Sequence, residues 1–427
     1  MMQKRTVTIT QGVALYMGAV LGSGILILPG YTAQVAGPAS ILAWAILSLL
    51  SIPVAYTFAR LALKYENYGG ISTIVNAAFG DTWGAIVGWF FLVWVATGQA
   101  VVGLTGAAYI AAAFHWPPPV VYGIAFLLLA AALVSNLLGM RISGLVSLGL
   151  SGTVLILLVV TIAYSLPETT PNHFVPFAPF GVRGIGQACV LIFWAFFGWE
   201  SITHLVPEFK RPHPDVMRST WISVIVVGLV YTLLAVVTVG TGIYGSEADT
   251  APLASLMNRA LGVNAGLATA IIACIVCLGT LNVYLASSSR LALSLGADRK
   301  LPRWFSGTSA NGTPYRSVLF LFITNALVLL FSYRFAYPVD KLLLLPTTLG
   351  ILVYILASLA CLKLLWHDPK GRWAAGISTA LCVAIAPFSG GYLAVPLLTA
   401  ACCLLYLYIA KRTSPLPADS DSPPEEA

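Results

Sequence analysis

The sequence predicts an all-α, polytopic membrane protein, and three observations carry that prediction. Of its 427 residues 59% are hydrophobic and only 9% charged, with a mean hydropathy of +0.89, far from the composition of a soluble globular domain. Apolar runs of the ~20 residues that cross a bilayer account for nearly the whole chain, so no soluble domain is expected. Two of these runs are interrupted at mid-depth by glycine and hydroxyl groups, and one of the two also by a carboxylate, Glu200.

Taken in order, twelve spans are expected, at 11–36, 39–63, 83–114, 119–138, 141–166, 184–207, 216–244, 264–294, 317–334, 340–366, 372–389 and 391–410, after a short segment 1–10. The first run has no small-residue cleavage site and reads as a span, not a removable signal peptide. With the amino terminus in the cytoplasm, all but Arg183, Arg259, Arg334 and Lys341 of the 22 Lys and Arg residues fall on the inner face. The positive-inside rule selects that orientation. Both termini are therefore expected to be cytoplasmic, and 413–427, rich in proline, serine and acids, is expected to be a disordered tail.

The connections carry their own signals. Gly69-Gly70 followed by 71–79 predicts a short amphipathic helix on the inner surface, ended at Gly80-Asp81. Trp116-Pro117-Pro118-Pro119 predicts a stiff outer turn, and 251–261 a second short helix over the entrance. Pro207 and Lys210-Arg211-Pro212-His213-Pro214 are expected to end the sixth segment at the inner face. The formal charge of +7 does not imply nucleic acid, because the cations sit beside spans, where orientation in the bilayer explains them. All seven cysteines lie in apolar stretches. Cys274 and Cys277 have a CxxC spacing, but no second pair or nearby histidine completes a metal site, so neither metal nor cofactor is expected.

Spans one to five (11–166) and six to ten (184–366) read as two repeats, with spans eleven and twelve (372–410) outside them. Each repeat opens on an interrupted helix, Gly22-Ser23-Gly24 in the first and Phe197-Gly198-Trp199-Glu200 in the second. Five spans is an odd number, so the repeats insert with opposite topology, the arrangement whose substrate site lies at the midplane between the breaks. An ionisable group within a span faces a cavity, a partner or a substrate path, and non-helical backbone at that depth must be buried in protein or line water.

Where a helix stops and restarts, the first half presents unpaired carbonyls and the second unpaired N–H groups, with dipole charges that reinforce them. The N–H groups of Gly22, Ser23, Gly24 and Ile25 and the Ser23 hydroxyl suit a carboxylate, and the carbonyls of Val20 and of 194–197 suit an ammonium. An α-amino acid carries both groups on one carbon. The competing explanation, small residues that let membrane helices pack closely, weakens because Ser23 stands between the glycines, Pro29 follows, and the second break carries Glu200. No acid or base besides Glu200 lies near either break to pair a charged substrate side chain, and an unpaired buried charge is costly. A neutral, apolar side chain is expected.

Gly22-Ser23-Gly24-Ile25, with Pro29 and Ala36-Gly37-Pro38, resembles the first helix of the amino acid–polyamine–organocation superfamily, which has the LeuT-type 5+5 inverted-repeat fold. The run 193–201 followed by Pro207-Glu208-Phe209-Lys210-Arg211-Pro212 is similar to its sixth helix, and Ser287-Ser288-Ser289-Arg290 through Asp298-Arg299-Lys300-Leu301-Pro302 to the end of its eighth. Within the superfamily, the compact length and the run 193–212 most resemble bacterial inner-membrane exporters of methionine and branched-chain amino acids. The resemblance implies that Gly22, Ser23 and Gly24 hold the substrate carboxylate. It implies that carbonyls of Val20, Trp194 and Phe197, at the break shaped by Gly198, take the ammonium, and that the Trp194 ring and Tyr284 gate the side chain. It also implies that Glu200 is proton-responsive, since burial favours the neutral acid while free N–H groups favour the carboxylate; a fixed cap on the restarting half-helix is the plainer role. Many relatives carry a lysine in the fifth span, but 143–159 has none and the equivalent position falls near Thr153 or Val154. Ser287 and Ser288 are weak sodium-ligand candidates, with bonds back to their own helix the commoner use of such hydroxyls.

A neutral amino acid importer or exchanger on the same fold, coupled to protons or sodium, is the alternative. An intramembrane enzyme is disfavoured: there is no HExxH or GxSxG, and His115, His173, His204, His213 and His367 are isolated. A channel or receptor is disfavoured because rings of charge and repeated carbonyl filters are missing. A monomer or homodimer is expected.

Overall fold

The first helix begins at Ile9 because Thr8 caps it: the Thr8 hydroxyl accepts the Gln11 N–H and the Gln11 side chain accepts the Thr8 N–H at 2.9 Å, a reciprocal capping box. The computed structural model describes residues 7–64, 70–138, 144–201, 206, 209–245, 251–310 and 312–413. Among them the only β pairing is a single parallel bridge between Val7 and Phe209; the rest of the ordered structure is helical.

In chain order the helices are α1 (Ile9–Val20), α2 (Gly24–Ala36), α3 (Ser40–Lys64), α4 (Gly70–Phe79), α5 (Asp81–Phe114), α6 (Pro118–Leu137), α7 (Gly144–Ser165), α8 (Gly181–Phe193), α9 (Pro212–Gly240), α10 (Pro252–Leu261), α11 (Val263–Ala297), α12 (Tyr315–Phe335), α13 (Val339–Leu364), α14 (Pro369–Ile385) and α15 (Ala394–Thr413). Both short connecting helices expected from the sequence are present, as α4 and α10.

Nine helical stretches among the described residues are long and apolar enough to cross a membrane, against the twelve spans expected. The difference has a physical origin. α2 and α3 are separate helices that meet at a tight turn at Gly37 (φ 62°), as α14 and α15 do at Gly390 (φ 57°), and with no gap between them each pair counts as one stretch, of 41 and 44 residues. The expected first and sixth spans are broken, leaving α1 and α8 too short to count alone. A second correction concerns the prolines after the sixth segment. Pro212 and Pro214 do not stop a helix but open α9, where the missing proline N–H has no helical partner to lose. The expected end of the sixth span at Pro207, and His204 with it, lie outside the described residues, as does the tail 414–427.

The helices pack in two groups. α9 lies along α3 and α1, and α8 against α2 and α3; separately, α11 lies along α5 and α6, with α12 across α5 and α6. The second group is joined by buried amides. Asn136 of α6 donates to Asn282 of α11 at 2.8 Å. Asn325 of α12, fully buried, accepts the Ala100 N–H at 2.8 Å and donates to the Val95 carbonyl at 3.1 Å, gripping both rims of one turn of α5. In a bilayer such bonds have no water to replace them.

At one end of the bundle basic side chains tie helix ends together. Lys64 donates to the Leu364 carbonyl, Lys363 to the Ala78 carbonyl, and Arg60 to Asp368 at 2.8 Å, cations serving the unpaired carbonyls of helix C-termini. Partial burial pushes the Asp368 carboxyl up, but the Arg60 hydrogen bond and charge outweigh it and hold it below the usual carboxylate range. This tie is therefore intact at neutral pH and is lost only as the pH falls below that range.

Replacing Asn325 with Leu keeps the volume and removes its bonds to the two α5 backbone groups. The variant is expected to lose about 1–3 kcal/mol of stability, seen as a lowered melting temperature in detergent; an unchanged melting temperature would contradict the grip on α5.

Candidate functional site

The two interruptions are real and they touch. α1 ends as Leu21 turns out of helical geometry (ψ 57°), with its N–H on the Met17 carbonyl and the Gly22 N–H on that of Val20. α2 restarts at Gly24 after Ser23, which is buried and makes no capping bond to the helix it precedes. The second interruption follows α8. The chain tightens into a 3₁₀ turn at Trp194–Phe196, extends at Phe197 (φ −69°, ψ 146°), passes through Gly198 at φ +121°, and turns again at Trp199–Ser201. Only glycine takes that φ without strain.

Each interruption uses a glycine to approach the other. A Cβ on Gly24 would lie 2.9 Å from both Trp194 Cδ1 and the Ala195 Cα, and one on Gly198 would lie 2.6 Å from the Ala19 carbonyl oxygen. Gly22 is different: a Cβ there would meet only Thr280 Oγ1 of α11, in ordinary contact at 3.8 Å, so the first break has room for a methyl group on the α11 side.

Glu200 folds back onto its own break. The Gly198 N–H donates to Glu200 Oε2 at 2.9 Å and lies 3.3 Å from the Tyr354 hydroxyl, which itself donates to the same carboxylate oxygen. The carboxyl is 8% exposed, and Tyr354 belongs to α13, so this group joins the second interruption to a helix over 150 residues away in sequence.

An aromatic cluster lines the same region. Trp94 of α5 is its centre, with ring centroids 4.3 Å from Phe197, 6.4 Å from Trp194 and 6.3 Å from Tyr284. The Trp194 ring lies over Gly98 of α5, and that of Phe197 over Gly350 of α13. Trp194 and Tyr284 are half-buried, whereas Trp94, Phe197 and Tyr354 are buried.

The structure thus brings together Val20, Gly22, Ser23, Gly24, Trp194, Phe197, Gly198 and Glu200, and links Tyr284 to them through Trp94. Ile25 is fully buried beside them. The Val20 carbonyl already accepts the Gly22 N–H and, at 2.8 Å, the Tyr231 hydroxyl. Ser287 is exposed and turns back to the Tyr284 carbonyl, while Ser288 is buried. In α7, Val154 is buried and Thr153 bonds back to Gly149. Sequence reasoning missed Trp94, Tyr231 and Tyr354. The available signal was a tyrosine in mid-span, whose hydroxyl must find a partner when buried.

Gly198→Ala is expected to destabilise the protein by several kcal/mol, from the left-handed φ together with the clash on Ala19. Gly22→Ala should leave folding intact. Melting temperatures of the two purified variants check this, and equal effects would contradict the reciprocal contact of the breaks.

Comparison with known proteins agrees with this geometry. The family model described as amino acid permease matches residues 9–414. An uncharacterized amino acid permease of Bacillus subtilis is 36% identical over 408 residues, covering 95% of this chain and 96% of that one. The L-methionine/branched-chain amino acid exporter of Escherichia coli is 29% identical over 419 residues, 96% and 98% of the two chains. A branched-chain amino acid permease of Bacillus subtilis is 24% identical over 375 residues, 83% and 80%. The chain belongs to the amino acid permease family of the amino acid–polyamine–organocation superfamily, multi-pass membrane transporters and not enzymes.

Proposed function

We propose that this protein exports neutral, apolar L-amino acids of the methionine, leucine, isoleucine and valine class across a bacterial inner membrane, in exchange for protons. The observation that carries the reading is the reciprocal contact of two broken helices, which sets the start of α2, without a side-chain cap, against the turn at Trp194–Phe196. The exporter likeness over 96% of the chain supports the substrate class and direction. In this reading the chain crosses the bilayer twelve times with both termini in the cytoplasm. Its first ten spans form two inverted repeats, and the substrate is held at the midplane under alternating access.

The N–H groups of Ser23, Gly24 and Ile25 and the Ser23 hydroxyl receive the substrate carboxylate, the Gly22 N–H being bonded to the Val20 carbonyl. With the Val20 carbonyl already occupied, the ammonium goes to the carbonyls of Trp194 and Phe197. The side chain packs among Trp94, Trp194, Phe197 and Tyr284, rings that offer a large apolar surface and no charge. Glu200, held between the Gly198 N–H and Tyr354, carries the coupling proton: access states that solvate it differently load and release it. The direction is tested in proteoliposomes by loading a labelled amino acid and reversing the proton gradient. Gradient-driven accumulation on the cytoplasmic side alone would favour the importer reading, which the likeness to the branched-chain amino acid permease invites.

Two further measurements test the assignments. Ser23→Val and, separately, replacement of the substrate by its amide should each weaken binding by about 10- to 100-fold, the loss of a charge-assisted hydrogen bond; unchanged affinity in both would sink the carboxylate site. Glu200→Gln keeps the shape but cannot titrate, so transport by this variant should lose the pH dependence of the parent. A parental pH profile in the variant would leave Glu200 as a structural cap.

A further inference from the structure

The interruptions take the regular helical donor from two carbonyls, of which that of Val20 keeps the Gly22 N–H. The Val20 carbonyl would be served by Gly24 in an unbroken α-helix, and that of Ala195 by Gly198 in a continued 3₁₀ turn, but Gly24 begins a new helix and the Gly198 N–H is turned to Glu200 and Tyr354. A single hydroxyl from a third helix reaches both. Tyr231 of α9 donates to the Val20 carbonyl at 2.8 Å and lies 3.3 Å from the Ala195 carbonyl. Its side chain is fully buried. Its ring stands edge-on between Trp44, at 5.3 Å, and Phe196, at 5.2 Å, which fixes where the hydroxyl points. It touches the breaks from the α9 side, whereas the room at Gly22 opens toward α11.

We infer that Tyr231 is a positioning residue, whose hydroxyl ties the two interruptions together through the Val20 and Ala195 carbonyls and so sets the spacing that fits an α-amino acid. The inference rests on the proposed placement of the substrate between the breaks. A carboxylate and an ammonium on one carbon are engaged together only if the two half-sites keep a fixed separation. One proton shared between one acceptor from each break holds that separation directly. A β-amino acid, with one more carbon between its charged groups, is then disfavoured by the spacing and not by any single contact.

The test is a ratio. Half-saturation for L-leucine and for β-leucine is measured in proteoliposomes with the parent protein, Tyr231→Phe and Tyr109→Phe. The last is the control: the Tyr109 hydroxyl also serves the first broken helix, donating to the Leu26 carbonyl, but its other partner is the Leu253 N–H of α10 and not the second break. Tyr231→Phe keeps the ring and is expected to narrow the preference for L-leucine over β-leucine by roughly three- to tenfold, the worth of one hydrogen bond, while Tyr109→Phe leaves the ratio at its parental value. A generally loosened protein would weaken both ligands alike. An unchanged ratio in Tyr231→Phe, or the same narrowing in Tyr109→Phe, overturns the positioning role. If the phenylalanine variant does not survive purification, the ratio is read by competition against uptake in membrane vesicles. Failure of the parent to bind either compound would instead refute the substrate placement itself, and is recognised without any substitution.

Discussion

A peptide group at membrane depth must have a partner, because lipid offers none. An unbroken helix meets that demand within itself; a broken one cannot, and this chain breaks two helices at the same depth. The arrangement around them follows from that debt. Gly24 and Gly198 let the two breaks approach to backbone contact, Tyr231 donates to a carbonyl of each break, and Glu200 with Tyr354 takes the Gly198 N–H. What remains is a first turn of α2 whose N–H groups begin a helix with no side-chain cap, beside room at Gly22. The unmet part of the demand is the part a substrate can meet.

The buried polar groups are also distributed unevenly between the helix groups. In the group around α5 and α11, carboxamides serve helix against helix: Asn136 with Asn282, and Asn325 on the α5 backbone. These bonds lock elements in register. In the group around α3 and α9 the links are hydroxyls, such as Tyr16 with Thr220 and Ser48 with Thr232, single contacts that rotate and re-form more readily than a two-point carboxamide grip. The breaks belong to the second group, and the aromatic rings that meet them, Trp94 and Tyr284, to the first. The proposed site is thus lined from both groups of helices.

Much of this was legible in the sequence because the determinants are local. Apolar runs marked the long helices, and glycines beside Ser23 and Glu200 marked both breaks. The joints between neighbouring helices were legible too: Gly37-Pro38-Ala39 and 386–393 read as ends of spans, and the chain leaves helical geometry there at Gly37 and Gly390. Pro212 and Pro214 look alike whether they end one helix or start the next, and only the chain's path distinguishes the two. The partners of the breaks were not legible. Tyr231, Tyr354 and Trp94 each sit in apolar runs where an aromatic residue reads as packing, and their roles come from elements far away in sequence.

Glu200 shows why those distant partners matter for coupling. As a carboxylate it is a pure acceptor, and the Gly198 N–H and the Tyr354 hydroxyl both point at Oε2. A proton added to this carboxyl turns an acceptor into a donor, so the hydroxyl that faces it must rotate or the carboxyl must turn away. Tyr354 is ringed by Phe58, Phe193 and Phe197 at 5.3–5.5 Å, so its ring has little freedom to move alone. Protonation is therefore felt on one side by the backbone of the second break and on the other by α13. The Glu200 carboxyl and the backbone proposed to hold the ammonium lie within one short turn of each other, so a change in the bonds of one affects the geometry of the other.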